Sequence, residues 1–240
     1  MSIPKIFAWC QIPSAEIVFI FSSIDGVDAV VLDFEHGCIS ASHIFNAKSA
    51  ASRNNKALWA RIPSNGIHMV SNMVDMGIDG IILANVEDPE QVSTLIERVS
   101  YPPIGHRGIG FSASNHFGGT LEANLSKEER FPVIVMVESR LAIENLSEIC
   151  SVGPAGVMIG PYDLSCSLGD IGNFESKEFK EVVKKVRLVC KTFNVPFGGH
   201  VVSSQPLDFL GKSVGYDFCA ASMDVQVLRD GMVNLVAVKK

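Results

Sequence analysis

The sequence predicts an α/β protein, and within that class an eight-stranded (β/α)8 TIM barrel. Eight short apolar segments alternate with segments of helical length, which is the order expected of repeated βαβ units. The apolar segments are continuous, as in parallel strands that are buried on both faces. The length of 240 residues also suits one barrel of this kind.

An open, doubly wound sheet is the alternative architecture for this order of elements. Its nucleotide-binding members carry a glycine-rich turn after the first strand. The corresponding turn here, CQIPSAE (10–16), lacks that pattern, and this favours the barrel.

The predicted strands are apolar runs flanked by glycine, proline or charged residues. They lie at residues 6–12, 28–35, 57–63, 80–83, 132–138, 156–160, 196–202 and 217–223. Between them, one helix is expected to start at Ser14, a second to span 41–54, and a third to span 88–100 with Asp88 as its N-cap. A fourth, at 176–193, has apolar residues at helical spacing. These residues are Phe179, Val182, Val183, Val186 and Val189.

One long segment does not fit the alternation. Residues 101–130 show no clear period, and a structureless stretch of this length in a compact domain is usually a functional loop. No linker or repeat divides the rest of the chain. Residues 1–240 are therefore expected to form a single barrel domain that carries this loop.

The composition argues against several classes of partner. The net charge is −6, so no basic face is expected for a nucleic acid. The six cysteines form no CxxC pair and are expected to be reduced. No signal peptide opens the chain, and no apolar run approaches the roughly 20 residues of a membrane span. We expect a cytoplasmic protein that binds neither nucleic acid nor membrane.

Charged side chains stand where several predicted strands end. Because the carboxyl ends of barrel strands meet on one face, these side chains are expected to converge there. They are Asp33, Glu35 and His36 at the end of the second strand, Arg61 in the third, Glu138 at the end of the fifth and Asp163 after the sixth.

Each of these residues also has a purely structural interpretation. Arg61 could lie at the surface with only its aliphatic stem buried. Glu138 could cap the following helix, and Asp163 could be an N-cap or a turn residue. The segment 31–37, VLDFEHG, could be an ordinary polar turn, and Asp75 a surface acid near a helix end. The sequence alone leaves these alternatives open.

The chemical alternative is a divalent metal site. Two carboxylates from adjacent strands, with no His or Cys ligand beside them, suit a hard ion such as Mg²⁺ or Mn²⁺, with Co²⁺ as a further candidate. Such an ion keeps several waters and leaves positions for a chelating 2-oxo acid. An arginine beside it could stabilise an enolate oxygen, and a histidine could move protons.

Six segments, in order over nearly the whole chain, resemble the HpcH/HpaI family of class II, metal-dependent 2-oxo-acid aldolases. They are VLDFEHG, ARIPS, MVDMGIDGIILANVEDPEQ, YPPIGHRGIG, VIVMVESRLAIENLSEI and GVMIGPYDLSCSLG. The last three are the most specific. The resemblance implies a barrel of the phosphoenolpyruvate/pyruvate-binding type and a homo-oligomer, a trimer or a hexamer whose pairs of subunits exchange C-terminal helices.

The resemblance also implies roles for the charged residues. Glu138 and Asp163 would be the metal ligands, and Arg61 would stabilise the pyruvate enolate. His36 would belong to the proton-transfer machinery, and Asp75 would pair with it.

Further residues are implied to bind substrate or to support the site. The backbone around Gly160, Tyr162 and Asp163 would hold the substrate carboxylate. Met136 stands where many family members carry a glutamine that can hydrogen-bond the substrate, and a thioether cannot donate such a bond. The bulky Tyr162 replaces a small residue. The expected supporting residues are Asp33, Glu35 and Arg107.

Three functions follow as hypotheses. The first is a lyase that reversibly cleaves a 4-hydroxy-2-oxo acid to pyruvate and an aldehyde. The second is a Claisen-type condensing enzyme or lyase that acts on oxaloacetate or a CoA thioester, although no long basic groove for CoA phosphates is evident. The third is a non-catalytic binding barrel, which the intact set of proposed ligands and acid–base residues disfavours.

Overall fold

Eight parallel strands close into a barrel in which each strand pairs with the next along the chain and the last pairs with the first. This is a computed structural model, and it describes residues 4–127, 129–201 and 214–237. The closed order confirms the (β/α)8 prediction and excludes the open sheet.

The strands are numbered along the chain. They are β1 Lys5–Cys10, β2 Ala29–Asp33, β3 Ala57–Ile62, β4 Gly80–Leu83, β5 Val133–Val137, β6 Gly156–Ile159, β7 Phe197–Val201 and β8 Phe218–Ala221. All eight predicted strands are therefore present, with somewhat different ends. Residue 202, the predicted end of the seventh strand, lies outside the described residues. Glu35 and Glu138, predicted as the last residues of their strands, instead follow the last residues of β2 and β5.

The described helices lie outside the barrel and are also numbered along the chain. They are α1 Ala15–Ser22, α2 Ile44–Ser52, α3 Val70–Asp75, α4 Pro89–Val99, α5 Leu121–Leu125, α6 Arg140–Glu144, α7 Leu146–Ser151, α8 Pro161–Ser167, α9 Lys177–Thr192 and α10 Asp224–Ala237. Short 3-10 turns occupy Ala41–His43, Ser64–Met69 and Ala113–Gly118. None of these described helices is long and apolar enough to cross a membrane.

The predicted helix starts are made by side-chain caps. Ser14 accepts a hydrogen bond from the amide of Ile17 at 3.2 Å. The Asp88 carboxylate accepts from the amide of Glu90 at 2.7 Å, and Gln91 accepts in return from the amide of Asp88 at 3.0 Å. These bonds satisfy amides that have no partner within the helix, so Ser14 and Asp88 determine where α1 and α4 begin.

Side chains along each strand point alternately into the barrel and toward the helices. On β5, Ile134 and Met136 pack inside the barrel, whereas Val133, Val135 and Val137 belong to the layer between strands and helices. This period of two puts the next residue, Glu138, on the inner side. The alternation therefore decides which strand-end residues can reach one another.

The segment 101–130 is mostly irregular but is held by its own side chains. Asn115 is fully buried, and its amide group donates to the carbonyl of Gly110 at 2.7 Å. Its oxygen accepts from the amides of Ser112 and Gly118 at 3.1 and 2.9 Å. The short helix α5 ends the structured part, and residue 128 is not described.

The C-terminal helix is tied to the first βα turn by one buried carboxylate. Asp224, 1% exposed, accepts hydrogen bonds from the amides of Gln11 and Ile12, each at 2.9 Å.

We expect Asp224→Ala to lower the free energy of unfolding by roughly 1–3 kcal/mol, because two amides lose their acceptor. Urea denaturation would measure the loss. The matched change Asp230→Ala, at an exposed position of α10, should cost less than about 0.5 kcal/mol, and equal losses would contradict the assignment.

Candidate active site

Inward-facing residues from four strands build one charged cluster at the carboxyl end of the barrel. Asp33 and Arg61 are direct partners in the register between β2 and β3. Glu138 follows β5, and Gly160 follows β6. A side chain at position 160 would occupy the space of the Glu138 carboxylate, so the glycine provides the room that this carboxylate needs. This end of a barrel is where such folds carry their active sites.

Asp33 is the most constrained residue of the cluster. It is fully buried, and both of its carboxylate oxygens accept hydrogen bonds from Arg61, Nε to Oδ1 at 2.9 Å and one terminal N–H to Oδ2 at 2.6 Å. Oδ2 also accepts from the side chains of Gln11 at 2.9 Å and Trp9 at 3.2 Å. Burial alone would raise the pKa of Asp33, but these bonds and the charge of Arg61 lower it to about 2. Asp33 therefore stays a carboxylate.

Arg61 is 5% exposed, so its interpretation as a surface residue is wrong. Its second terminal nitrogen lies 3.2 Å from the Glu35 carboxylate, and its guanidinium carbon lies 5.2 Å from the centre of the Trp9 ring. Burial lowers the pKa of Arg61, but Asp33, Glu35 and the more distant Glu138 together raise it above its ordinary value. Asp33 and Glu35, which were predicted as supporting residues, therefore contact Arg61 directly.

Glu138 is buried, with 4% exposure, and has one hydrogen bond from protein among the described residues. Its Oε2 accepts from the amide of Asn85 at 2.8 Å. Burial raises the pKa of Glu138 to about 7, and the charges of Asp163 and Glu35 raise it too, against the opposing effects of the Asn85 amide and Arg61. The following helix is capped by Ser139, which accepts from the amide of Ala142 at 3.1 Å. The interpretation of Glu138 as a helix cap is therefore wrong.

Asp163 lies in the first turn of α8 and is exposed. Gly160 is the N-cap of this helix and Pro161 its first residue, so Asp163 is not the cap. The negative charge of Asp163 repels that of the Glu138 carboxylate and raises the pKa of Glu138. Two neighbouring carboxylates, one of them buried with a free oxygen, have the charge and ligand type that a hard divalent cation requires.

The described residues contain no group of three or more His, Cys, Asp or Glu side chains that could hold a metal ion. Glu138 and Asp163 provide only two such side chains. A magnesium-type ion commonly binds one or two carboxylates and completes its shell with water and substrate. The residues present therefore fit the predicted ion as a two-ligand site.

The expected pairing of Asp75 with His36 is not present within the described part of the chain. Asp75 ends α3, and its carboxylate lies 2.6 Å from the guanidinium of Arg107. Arg107 also donates to Ser114 at 3.1 Å and lies over the ring of Tyr101. Asp75 therefore fixes the long loop through Arg107. The hydrogen bond between Arg107 and Asp75 joins residues 32 positions apart, so it ties the loop back to α3.

His36 is anchored through its backbone. Its amide donates to the Asp33 carboxylate at 3.2 Å, and the amide of Glu35 donates to the same oxygen at 3.1 Å. The imidazole is exposed and makes no hydrogen bond with another described residue. The VLDFEHG segment thus ends β2 at Asp33 and continues as a turn folded around the Asp33 carboxylate, which leaves the His36 ring exposed at the rim.

Two predicted substrate-binding positions have different surroundings. Met136 is 1% exposed and packs in the barrel interior, one inward position below Glu138. Tyr162 is 50% exposed, and its ring meets that of Phe174 edge-on at 5.1 Å. Met136 therefore lies directly beneath the cluster, whereas the ring of Tyr162 packs against Phe174 and is half exposed.

Four contributors to the cluster were not predicted: Trp9, Gln11, Asn85 and His200. They lie near the carboxyl ends of strands β1, β4 and β7. Counting inward positions along every strand would have found Trp9 and Gln11. Asn85 acts through its backbone amide, in a left-handed conformation with φ of 52°, and such a contact has no signal in the side-chain pattern.

A separate cavity of about 450 Å³ lies on the flank of the barrel, between α2 and the turn before β4. Its charged lining is the pair Lys48 and Asp79, whose ammonium and carboxylate groups lie 2.6 Å apart and balance each other. None of the predicted site residues lines it. The charged cluster at the carboxyl end therefore remains the candidate active site.

Fold and site together define a barrel enzyme whose active site lies at the carboxyl ends of the strands. A family model named HpcH/HpaI aldolase/citrate lyase matches residues 6–229. The chain belongs to this family, as the sequence motifs implied, and with it is a carbon–carbon lyase.

Individual relatives agree with this placement. The 5-keto-4-deoxy-D-glucarate aldolase of Klebsiella pneumoniae is 27% identical over 199 residues, which are 81% of this chain and 76% of that enzyme. An HpcH/HpaI aldolase from Desulfitobacterium hafniense superposes with a TM-score of 0.89 at 23% identity, over 99% of this chain and 93% of that one. The citrate synthase SbnG superposes with a TM-score of 0.83 at 21% identity, over 98% and 93%. The two superpositions show the shared fold.

His200 predicts how stability depends on pH. Burial and the charge of Arg61 together lower the pKa of His200 to about 4, against the opposing effects of the Ser222 backbone and Asp33. Between pH 6.5 and 4 the unfolded chain therefore takes up a proton that the folded chain excludes. The free energy of unfolding should fall by up to roughly 3 kcal/mol as the pH drops through this window.

Chemical denaturation at several pH values would measure this slope. His200→Leu cannot take up the proton in either state, so its slope should be shallower than that of the wild type. Equal slopes for the two proteins would show that His200 titrates normally.

Proposed function

We propose that this lyase is a divalent-metal-dependent aldolase that reversibly cleaves a 4-hydroxy-2-oxo acid to pyruvate and an aldehyde. The observation that carries the proposal is a guanidinium held rigidly by Asp33 and Glu35 on the same rim as the carboxylates of Glu138 and Asp163. This arrangement combines a site for a chelated 2-oxo acid with a fixed cation for an oxyanion. The aldolase named among the relatives supports the same reaction type.

Arg61 is suited to stabilise the enolate. Two of the five N–H groups of a guanidinium are bonded to Asp33, and a third faces Glu35, so donors remain for a substrate oxygen. When the bond between carbons 3 and 4 breaks, its electrons move toward carbon 2 and the 2-oxo oxygen becomes negative. Preorganised donors at that position lower the barrier, because they need no reorganisation during the reaction.

His36 is the proposed acceptor of the 4-hydroxyl proton. Its ring is exposed at the rim and free of described partners, while its backbone is fixed by Asp33. An imidazole can act as a general base and take this proton as carbon 4 becomes an aldehyde. In this proposal Asp75 and Arg107 act by ordering the long loop.

Glu138 and Asp163 are the proposed ligands of Mg²⁺, Mn²⁺ or Co²⁺. When bound, such an ion would supply positive charge that polarises the 2-oxo group. The amides of Tyr162 and Asp163 lie in the first turn of α8, where backbone N–H groups have no intrahelical partner. They are proposed to receive the substrate carboxylate.

The proposal includes a homo-oligomer, a trimer or a hexamer, in the cytoplasm. Helix α10 carries apolar side chains that are at least half exposed in the single chain, which supports its burial against another subunit. They are Val227, Leu228, Met232, Val233, Leu235 and Val236. All six cysteines are unpaired, which supports a reducing compartment.

The metal is tested by binding as well as by activity. Glu138→Gln and Asp163→Asn should each weaken Mn²⁺ binding by more than the roughly 10- to 100-fold that outer-shell changes cause. Pyruvate release from a 4-hydroxy-2-oxo acid should fall with it. The control is Glu144→Gln, because Glu144 is an exposed acid on α6. Isothermal titration would measure binding, and full wild-type activity after exhaustive chelation would contradict the metal assignment.

Arg61 is tested by an exchange reaction that needs no aldehyde. Arg61→Lys keeps the charge but not the planar fork that Asp33 and Glu35 hold. We expect turnover to fall roughly 100-fold, and exchange of the methyl protons of pyruvate with deuterated solvent to slow in parallel. NMR would follow the exchange, with the exposed Arg53→Lys as control.

Unchanged exchange in Arg61→Lys would remove Arg61 from enolate stabilisation. Condensation of oxaloacetate or pyruvate with a CoA thioester, in the absence of aldol cleavage for any aldehyde, would favour the Claisen reaction instead. A folded, metal-binding protein that does not exchange pyruvate protons would favour the binding barrel.

A further inference from the structure

His200 is an inward-facing histidine that the proposed chemistry does not use. On β7, Phe197 packs outside the barrel, Gly198 faces the interior side chain of Phe218, and the period of two turns His200 inward. Its ring stacks on Trp9, with centroids 4.8 Å apart. Trp9 also donates to Asp33, so His200 belongs to the charged cluster.

One ring nitrogen of His200 lacks a partner. A hydrogen bond with the backbone of Ser222 raises the pKa of His200, as expected when the ring donates to a carbonyl. In the neutral ring the other nitrogen is then an acceptor. That nitrogen, Nε2, is buried and has no hydrogen-bond partner among the described residues. Buried polar atoms of this kind are uncommon and expensive, so a missing partner is expected.

The surrounding charges define what this partner can be. Arg61 and burial keep the imidazole neutral, so Nε2 can accept a hydrogen bond but cannot donate one. A carboxylate or a carbonyl has no proton to offer at this position. A hydroxyl group does, and it carries no charge that would have to be desolvated next to Trp9.

The position on the rim indicates which part of the substrate supplies the hydroxyl. In the proposed function, β3, β5 and β6 provide the groups for the 2-oxo acid. His200 stands on β7, directly opposite Ala220 in the register with β8 and in contact with β1 through Trp9. This arc of the rim is left for the carbons that become the aldehyde.

We infer that His200 is a specificity residue that accepts, through Nε2, a hydrogen bond from a hydroxyl group next to the aldehyde carbon, so that the substrate class yields α-hydroxyaldehydes. This inference rests on the proposed function. Because Nε2 is buried, an aldehyde without the hydroxyl leaves it unpaired, and that penalty is the source of the selectivity.

The test is aldol addition of pyruvate to a pair of aldehydes, glycolaldehyde and acetaldehyde, which differ by one hydroxyl. The wild type should have the higher kcat/KM for glycolaldehyde. In His200→Leu, kcat/KM for glycolaldehyde should fall roughly three- to tenfold more than kcat/KM for acetaldehyde, because only glycolaldehyde has the hydroxyl that the removed acceptor would bind. His200→Gln keeps an acceptor near the position of Nε2 and should recover part of the preference. His106→Leu, at an exposed position, is the control.

Proton exchange of pyruvate separates this inference from the proposed function. The loss of preference between the two aldehydes in His200→Leu should exceed any change in exchange, because enolate formation does not involve the aldehyde. Equal losses for both aldehydes, or an unchanged preference, in a folded His200→Leu protein would overturn the role of His200. Absent exchange in the wild type would instead overturn the proposed function.

Discussion

The buried ion pair between Asp33 and Arg61 is the interaction on which the rest of the site depends. The two residues are partners in adjacent strands, and the side chains are 0% and 7% exposed. Removing two charges from water is costly, and attraction offsets that cost only when the remaining donors and acceptors are satisfied. Here Gln11, Trp9 and two backbone amides complete the hydrogen bonds of Asp33. The pair thereby fixes the guanidinium and folds the VLDFEHG turn around one carboxylate.

The same pair explains the charge of the neighbouring carboxylates. Asp33 and Glu35 already balance Arg61, so little positive charge remains for Glu138 and Asp163. Burial and repulsion then raise the pKa of Glu138 to about 7 despite the attraction of Arg61. A site with this local excess of negative charge gains from a bound cation. Neutralisation of Arg61 by Asp33 and Glu35 therefore explains both the raised pKa of Glu138 and the suitability of this site for a cation.

The sequence predicts the barrel well because apolar strands and capped helices are encoded locally. Ser14 and Asp88 begin helices through contacts within three residues. Glu138 and Arg61 could be placed because strand ends converge in any barrel of this kind. The partner of Asp75 could not, since Arg107 reaches it from 32 residues away through a loop with no period. His200 was missed because its role depends on the inner face of β7, to which it points. Asn85 was missed because its contact with Glu138 depends on the backbone conformation.

The division of the rim separates chemistry from specificity. An aldolase and a citrate synthase, each little more than 20% identical to this chain, have the same barrel, so the backbone alone does not select the reaction. Selection must lie in the few inward residues at the strand ends. Arg61, Glu138 and Asp163 carry charges suited to a 2-oxo acid, whereas Met136 offers no hydrogen-bond donor beneath them. In the inferred role, the neutral His200 acceptor on β7 supplies polar recognition of the aldehyde part of the substrate and adds no further charge to the cluster around Arg61.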